Sequence, residues 1–164
     1  MEIEIRSLRN EDWALVASIY LQGIETGNAT FESDLPSWDH WDRSHSKSCR
    51  IVACLNGEIA GWAALSPVSI RQVYSGVAEV SVYVSDQYKG LKIGTMLLDN
   101  LVSMSENEGF WTLQASIFPE NRPSISLHEK LGFRIVGIRE RIGKMNSIWR
   151  DTVLMERRSN NSGN

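Results

Sequence analysis

Apolar positions along this chain switch between alternation, helical spacing and short solid runs, and the switches mark out its elements. Ile3, Ile5 and Leu8 with polar residues between them predict a first strand. Asn10 reads as a helix cap, with Glu11 and Asp12 favourable in the first turn and Trp13, Val16, Ala17, Tyr20 and Ile24 as a stripe ending at Gly27. Residues 28–35 form a loop, and Ser37 caps a short helix showing Trp38 and Trp41 on one side. Two apolar runs, 51–55 and 58–65, flank Asn56-Gly57, the dipeptide of a tight hairpin. After an irregular stretch, 66–76, the β-branched and aromatic run 77–84 predicts a central strand. Met96, Leu97, Leu101, Val102 and Met104 then recur at helical spacing up to Glu108-Gly109. A strand at 112–118 is broken by Pro119, and a helix opens at Asn121 or Arg122, with Ile125, Leu127 and Leu131 inward and Gly132 at its end. Residues 133–142 and 148–155 close the chain as antiparallel strands. The order β-α-α-β-β-β-α-β-α-β-β predicts a mixed α/β layered domain over 1–156, followed by a frayed polar tail, 157–164.

Composition narrows the function classes. A chain of 164 residues with 42% hydrophobic and 23% charged residues suits a single soluble domain with a sizeable core. Its net charge of −3 argues against broad nucleic-acid binding. No apolar run reaches the roughly 20 residues needed to span a bilayer, and the first residues do not read as a signal peptide. Cys49 and Cys54 are the only cysteines, which excludes a disulfide framework and suits a reducing cytoplasm. His40 and His45, near Asp39 and Asp42, lie five apart and diverge on a helix; a solvated helix face is expected there rather than a metal site.

The chemistry concentrates after the central strand. Between Val84 and the following helix lies a short loop holding Gly90, Gly94, Lys89 and Lys92. A strand that feeds a glycine turn and then a helix aims unpaired N–H groups at one point, at the positive end of the helix dipole. Such a point is an anion site, and phosphate is its usual guest. The spacing fits neither a nucleotide P-loop nor a dinucleotide fingerprint. Lys89-Gly-Leu-Lys-Ile-Gly94 instead resembles the coenzyme A pyrophosphate loop of the GNAT superfamily of N-acetyltransferases, Gln/Arg-x-x-Gly-x-Gly/Ala, with Lys89 for the Gln/Arg and Lys92 for the middle glycine.

A second motif strengthens the resemblance. Asn121-Arg-Pro-Ser-Ile-Ser-Leu-His-Glu-Lys-Leu-Gly-Phe133 is similar to the superfamily's Asn-x-x-Ala/Ser-x-x-Leu-Tyr-Glu-Lys-Leu-Gly-Phe segment. His128 in place of the tyrosine resembles the phosphinothricin and methionine sulfone/sulfoximine acetyltransferases, as do Glu79 in Ala-Glu-Val-Ser-Val-Tyr-Val, Arg71-x-x-Tyr74, and Trp149-x-Asp151. The resemblance covers essentially the whole chain and implies the GNAT fold, a mostly antiparallel sheet flanked by helices. It implies acetyl-CoA as co-substrate, a small amino acid or analogue as acceptor, no metal, and a homodimer. It implies Glu79 and His128 as catalytic residues, and Val82, Tyr83, Val84, Lys89, Gly90, Leu91, Lys92, Ile93, Gly94, Thr95 and Asn121 as cofactor contacts. Arg71, Tyr74, Phe31 and Glu32 are the implied acceptor contacts.

Elementary chemistry agrees with those roles. Acetyl transfer from a thioester needs a neutral amine, a polarised carbonyl and a sulfur able to leave. An α-amino group of pKa about 8 is roughly 10% neutral at pH 7, a cost near 1.4 kcal/mol, whereas a lysine amine costs more than about 4 kcal/mol. Glu79, directly or through water, therefore suffices as base for an amino acid. His128, with an ordinary pKa about 6.5, can protonate a thiolate. Backbone N–H groups along 82–84 can polarise the thioester oxygen, and Arg71 can hold a carboxylate bidentately. Two further readings stay open: a peptide N-terminal acetyltransferase, and a non-catalytic coenzyme A-binding sensor.

Overall fold

A computed structural model describes residues 2–164. The expected order of elements is present: β1 (Ile3–Ser7), α1 (Trp13–Thr26), α2 (Trp38–Ser44), β2 (Arg50–Leu55), β3 (Glu58–Pro67), β4 (Val77–Val84), α3 (Ile93–Asn107), β5 (Thr112–Ile117), α4 (Arg122–Lys130), β6 (Arg134–Met145) and β7 (Ile148–Arg158). They form a seven-stranded sheet in the order β1-β2-β3-β4-β5-β7-β6. Every neighbouring pair is antiparallel except β4 and β5.

Strand alternation divides the core between the two faces of the sheet. Ile51, Ala53, Ala63, Leu65, Ala78 and Val80 face α3, whose Ile93, Leu97, Leu98 and Leu101 are buried against them, with Ile125 and Leu127 of α4 and its C-cap Leu131 packed alongside. Val52, Cys54, Trp62 and Ala64 face the other way, onto Val16 and Ile19 of α1 and Trp41 of α2. The first face is aliphatic. The second is aromatic: Trp62 stacks on Tyr83 at 4.9 Å, and Trp41 meets Trp62 edge-on at 5.5 Å.

Local details depart from the sequence reading at four places. Asn10 caps nothing; the chain makes a 3₁₀ turn over 10–12, where the buried Asp12 carboxylate accepts the Arg9 N–H at 2.7 Å and a bidentate pair from Arg6 at 2.8 and 2.9 Å. The Arg6 hydrogen bond holds the Asp12 carboxyl below its usual range. The side of α2 expected to be solvated is so only in part: Asp39 and His40 are exposed, but the buried Arg50 lies over the Trp41 ring at 5.0 Å and bonds Asp42 at 2.5 Å, while His45 stacks on Trp41 at 4.1 Å. Among the described residues no cluster of three His, Cys, Asp or Glu side chains is placed to hold a metal ion. β6 runs on to Met145 and β7 to Arg158, and residues after it are tied down rather than frayed. Ser159 is buried and its hydroxyl donates to Glu106, while Arg158 holds the carbonyls of Ser162 at 2.9 Å and Gly163 at 2.8 Å.

Candidate active site

The site follows from how β4 is paired. β3 runs alongside all of it, from Pro67↔Ala78 to Gly61↔Val84, whereas β5 meets it only at Val77↔Thr112, Ala78↔Leu113 and Glu79↔Gln114. Beyond Glu79 the two parallel strands part, because β5 continues onto β7 while β4 stays with β3. The rest of β4 is thus an open edge inside the sheet. Ser85 N–H donates to Ala60 O at 2.8 Å on the β3 side. Alternation then turns the N–H and C=O groups of Val80, Val82 and Val84 toward the fork, and those of Tyr83 away from it. Of the backbone donors expected along 82–84, two face the gap.

The fork opens into a cleft of about 790 Å³, lined among others by Phe31, Glu79, Val82, Tyr83, Val84, Lys89, Gly90, Gly94, Asn121 and His128. These expected site residues are brought together from the α1–α2 loop, β4, the loop before α3, and α4. At the mouth, Gly90 (φ 83°) and Lys92 (φ 63°) both take the left-handed conformation, and α3 begins at Ile93. Lys92 therefore sits in a conformation that glycine adopts freely, at a steric cost of roughly 1 kcal/mol. Lys89 pairs with Asp86 at 2.8 Å; both side chains are exposed, so an incoming anion can displace the pair at small cost. The side chains of Leu91, Lys92, Ile93 and Thr95 do not line the cleft; Ile93 is buried in the aliphatic core and Leu91 packs against it.

Arg71, Tyr74 and Glu32 also stand outside the lining. Past Pro67 the chain leaves the sheet, and Arg71 and Tyr74 lie exposed on that excursion, the guanidinium 5.4 Å over the ring. Glu32 is exposed one residue beyond Phe31, with its N–H on Thr30 Oγ1 at 3.1 Å.

Glu79 stands at the apex of the fork, on the aromatic side of β4. Gln114 Nε2 and Ser116 Oγ, on β5, each donate to its Oε1 at 3.3 Å, which orients the carboxylate. Neither residue was singled out from the sequence. The alternation Leu113, Gln114, Ala115, Ser116 already placed both on one face of β5, but which strand they would face was not encoded locally. Tyr83 stacks beside Glu79's side of the sheet, and burial pushes its phenol well above the ordinary value.

His128 is 4% exposed, and its Nδ1 lies 2.7 Å from the Ser124 carbonyl of the preceding turn. A carbonyl only accepts, so Nδ1 carries the proton and Nε2 of the neutral ring holds a lone pair. Burial lowers the imidazole pKa from 6.5, against the opposing pull of that carbonyl. The neutral ring is therefore a proton acceptor first, and can donate to sulfur only after it has taken a proton up. Asn121 caps α4 through the Ser124 N–H at 3.4 Å and donates to Asn28 O at 3.2 Å, joining α4 to the α1–α2 loop.

A forked sheet with an amide-rich turn at its mouth and a carboxylate at its apex is the frame of an acyl-transferring enzyme. The acetyltransferase (GNAT) family matches residues 5–133, and the chain belongs to that family. It is 31% identical to a phosphinothricin N-acetyltransferase of Streptomyces viridochromogenes, across 94% of this chain and 87% of that protein. It is 26% identical to an L-methionine sulfoximine/L-methionine sulfone acetyltransferase of Pseudomonas aeruginosa, across 95% and 94%. Among solved structures it superposes on a phosphinothricin acetyltransferase of Sinorhizobium meliloti in complex with acetyl-CoA, with a TM-score of 0.87 and 28% identity over 99% of this chain and 91% of that one.

Proposed function

We propose that this N-acetyltransferase moves the acetyl group of acetyl-CoA onto the α-amino group of a small amino acid or analogue of the phosphinothricin, methionine sulfone or methionine sulfoximine type. The observation that carries the reading is the open β4 edge, which leads from the Gly90–Lys92 turn at the start of α3 to a carboxylate. Pyrophosphate docks on the N–H groups of 90–95 at the start of α3. The pantetheine arm lies along the fork, where its amides pair with Val82 and Val84 as an added strand would, and the thioester reaches Glu79. Holding both reactants there supplies more of the rate than either proton transfer, on the order of 7–11 kcal/mol.

Glu79 Oε1 is occupied by Gln114 and Ser116, so Oε2 is the oxygen offered to the ammonium or to a relaying water. His128 Nε2, neutral at the outset, accepts the proton that the attacking nitrogen sheds as the C–N bond forms and passes it to the sulfur as the C–S bond breaks, so the ring ends as it began. Phe31 is the acceptor contact that lines the cleft. Arg71 and Tyr74 reach an acceptor carboxylate only if the 68–76 excursion swings inward. Thioester consumption against amino acids, their sulfone, sulfoximine and phosphinate analogues, and peptides tests the reading. Turnover confined to the analogues and free amino acids supports it, turnover confined to peptides replaces it, and acetyl-CoA binding without turnover of any amine reduces the protein to a sensor.

Two coarser features go with this reading. Ile135, Val136, Ile138 and Ile142 on β6, with Ile148 and Trp149 on β7, are exposed apolar residues at one end of the sheet, and a second copy packed there makes a homodimer. Light scattering of the purified protein decides this. Cys49 and Cys54 are free, buried thiols, consistent with a reducing, cytoplasmic setting.

A further inference from the structure

The α1–α2 loop lines the same cleft as Glu79 with Asn28, Ala29, Thr30 and Phe31, yet it has no regular structure to hold its shape. What holds it is a residue from the far end of the chain. Arg150 on β7, 16% exposed, donates from Nη1 to Gly27 O at 2.8 Å and from Nη2 to Asn28 Oδ1 at 2.9 Å. The same Nη2 reaches Glu120 at 3.4 Å on the β5–α4 turn. The guanidinium lies 3.8 Å over the Phe118 ring, and Phe118 meets Phe31 edge-on at 4.8 Å. Phe31 is in turn seated on Gly143 of β6, where an added Cβ would come within 2.7 Å of its ring.

One planar fork thus ties the loop, the β5–α4 turn and the β6–β7 hairpin together. A rigid guanidinium can hold two acceptors on the loop while stacking on an aromatic face; a lysine ammonium cannot do both. From Asn28 the hydrogen bonds continue through Asn121 and Ser124 to His128 Nδ1. Arg150 itself does not line the cleft.

Building on the acetyltransferase reading, we propose that Arg150 is a positioning residue for the acceptor: it fixes the Asn28–Phe31 loop at the distance from Glu79 that a small amine requires. Its loss acts on acceptor capture and spares the coenzyme A side: the turn at 90–95 hangs from β4 and α3, which Arg150 does not touch, and Asn121 keeps its own anchor on the Ser124 N–H.

The test is steady-state kinetics of R150M, R150K and N28A, with an acceptor that the wild type acetylates. Hydrogen exchange of the loop amides is measured in parallel. R150M is expected to raise the acceptor KM at least ~10-fold, to leave the acetyl-CoA KM within ~2-fold and kcat within ~3-fold, and to speed exchange at 28–32 while α3 amides stay protected. R150K is expected to recover only part of the loss. N28A, which removes one of the two anchors without touching β7, is expected to shift the acceptor KM the same way by ~3-fold, and it decides the matter should R150M fail to fold. An unchanged acceptor KM, or both KM values rising together, overturns the proposal while leaving the enzyme standing. Full recovery by R150K overturns it too, since the fork would then be unnecessary. Wild-type protein that acetylates no amine overturns the enzyme reading and this proposal with it, and is recognised before any variant is made.

Discussion

The two faces of the sheet are built from different material. Against α3 the packing is aliphatic and continuous, with Leu97, Leu98 and Leu101 buried on alanines, valines and leucines from the strands. Against α1 and α2 it is aromatic and studded with polar groups, from the partly buried Arg6–Asp12 and Arg50–Asp42 pairs to the phenol of Tyr83. β4 serves both: Ala78 and Val80 belong to the first core, while Glu79 and Tyr83 look the other way. The division separates labour. The aliphatic side makes a stiff mount for α3 and the turn that precedes it. The aromatic side offers rings with polar tips, through which an acceptor can be recognised without breaking the core.

Substitutions can break that contrast. On the aliphatic side, Leu97→Ala is expected to cost about 3–4 kcal/mol, read as a fall in the urea midpoint, with the acceptor KM unmoved by whatever folded fraction remains. At the apex, Glu79→Gln is expected to lower kcat by ~10²–10³-fold with little change in acetyl-CoA affinity by calorimetry, since the amide keeps the shape and loses the base. An activity equal to wild type removes Glu79 from the mechanism. Asp12→Asn, which strips the Arg6 pair of its charge, is expected to cost about 2–3 kcal/mol of stability at neutral pH and less in acid.

The pH dependence sharpens the picture further. His45 and His128 are both pushed below 6.5 chiefly by burial, whereas the unfolded chain titrates near that value. As pH falls, the unfolded state takes up protons first, so their contribution to stability is full above about 6.5 and is lost below it. The acid limb of kcat/KM is accordingly expected below 6.5, and to vanish in His128→Ala; a limb that persists there belongs to another group. The smallest effect is at the turn: Lys92→Gly relieves a left-handed φ of 63° and is expected to stabilise by about 0.5–1 kcal/mol, seen as a rise of a few degrees in Tm.

Most of this architecture was legible because most of it is periodic. The alternation at 51–55 and 58–65 around Asn56-Gly57 and the stripe of α3 are local patterns with local causes, and so is the strand-turn-helix at 84–95. What was not legible depends on partners far away in the chain. Asn10 looked like a cap because its type favours caps, but the turn starts one residue earlier: Arg9 takes the cap position, its N–H held by the Asp12 carboxylate that Arg6 fixes. Arg150 sat unremarked between Trp149 and Asp151, its partners 122 and 123 residues distant. Asp151 in turn accepts the Arg141 N–H at 2.7 Å where β6 slips register against β7, so it shapes a bulge. Arg71 and Tyr74 matched a motif, yet nothing in a motif says how far an excursion between strands stands off from the sheet.

The last rung between β4 and β5 has one more implication. Side chains on a strand point to opposite sides in turn, so the place where the ladder stops also decides which kind of group stands at its tip. Were it to end one residue sooner or later, Ala78 or Val80 would stand there, each buried among hydrocarbon, and the molecule would fork around a greasy tip with no place to leave a proton. Which group stands in the fork is a matter of counting rungs.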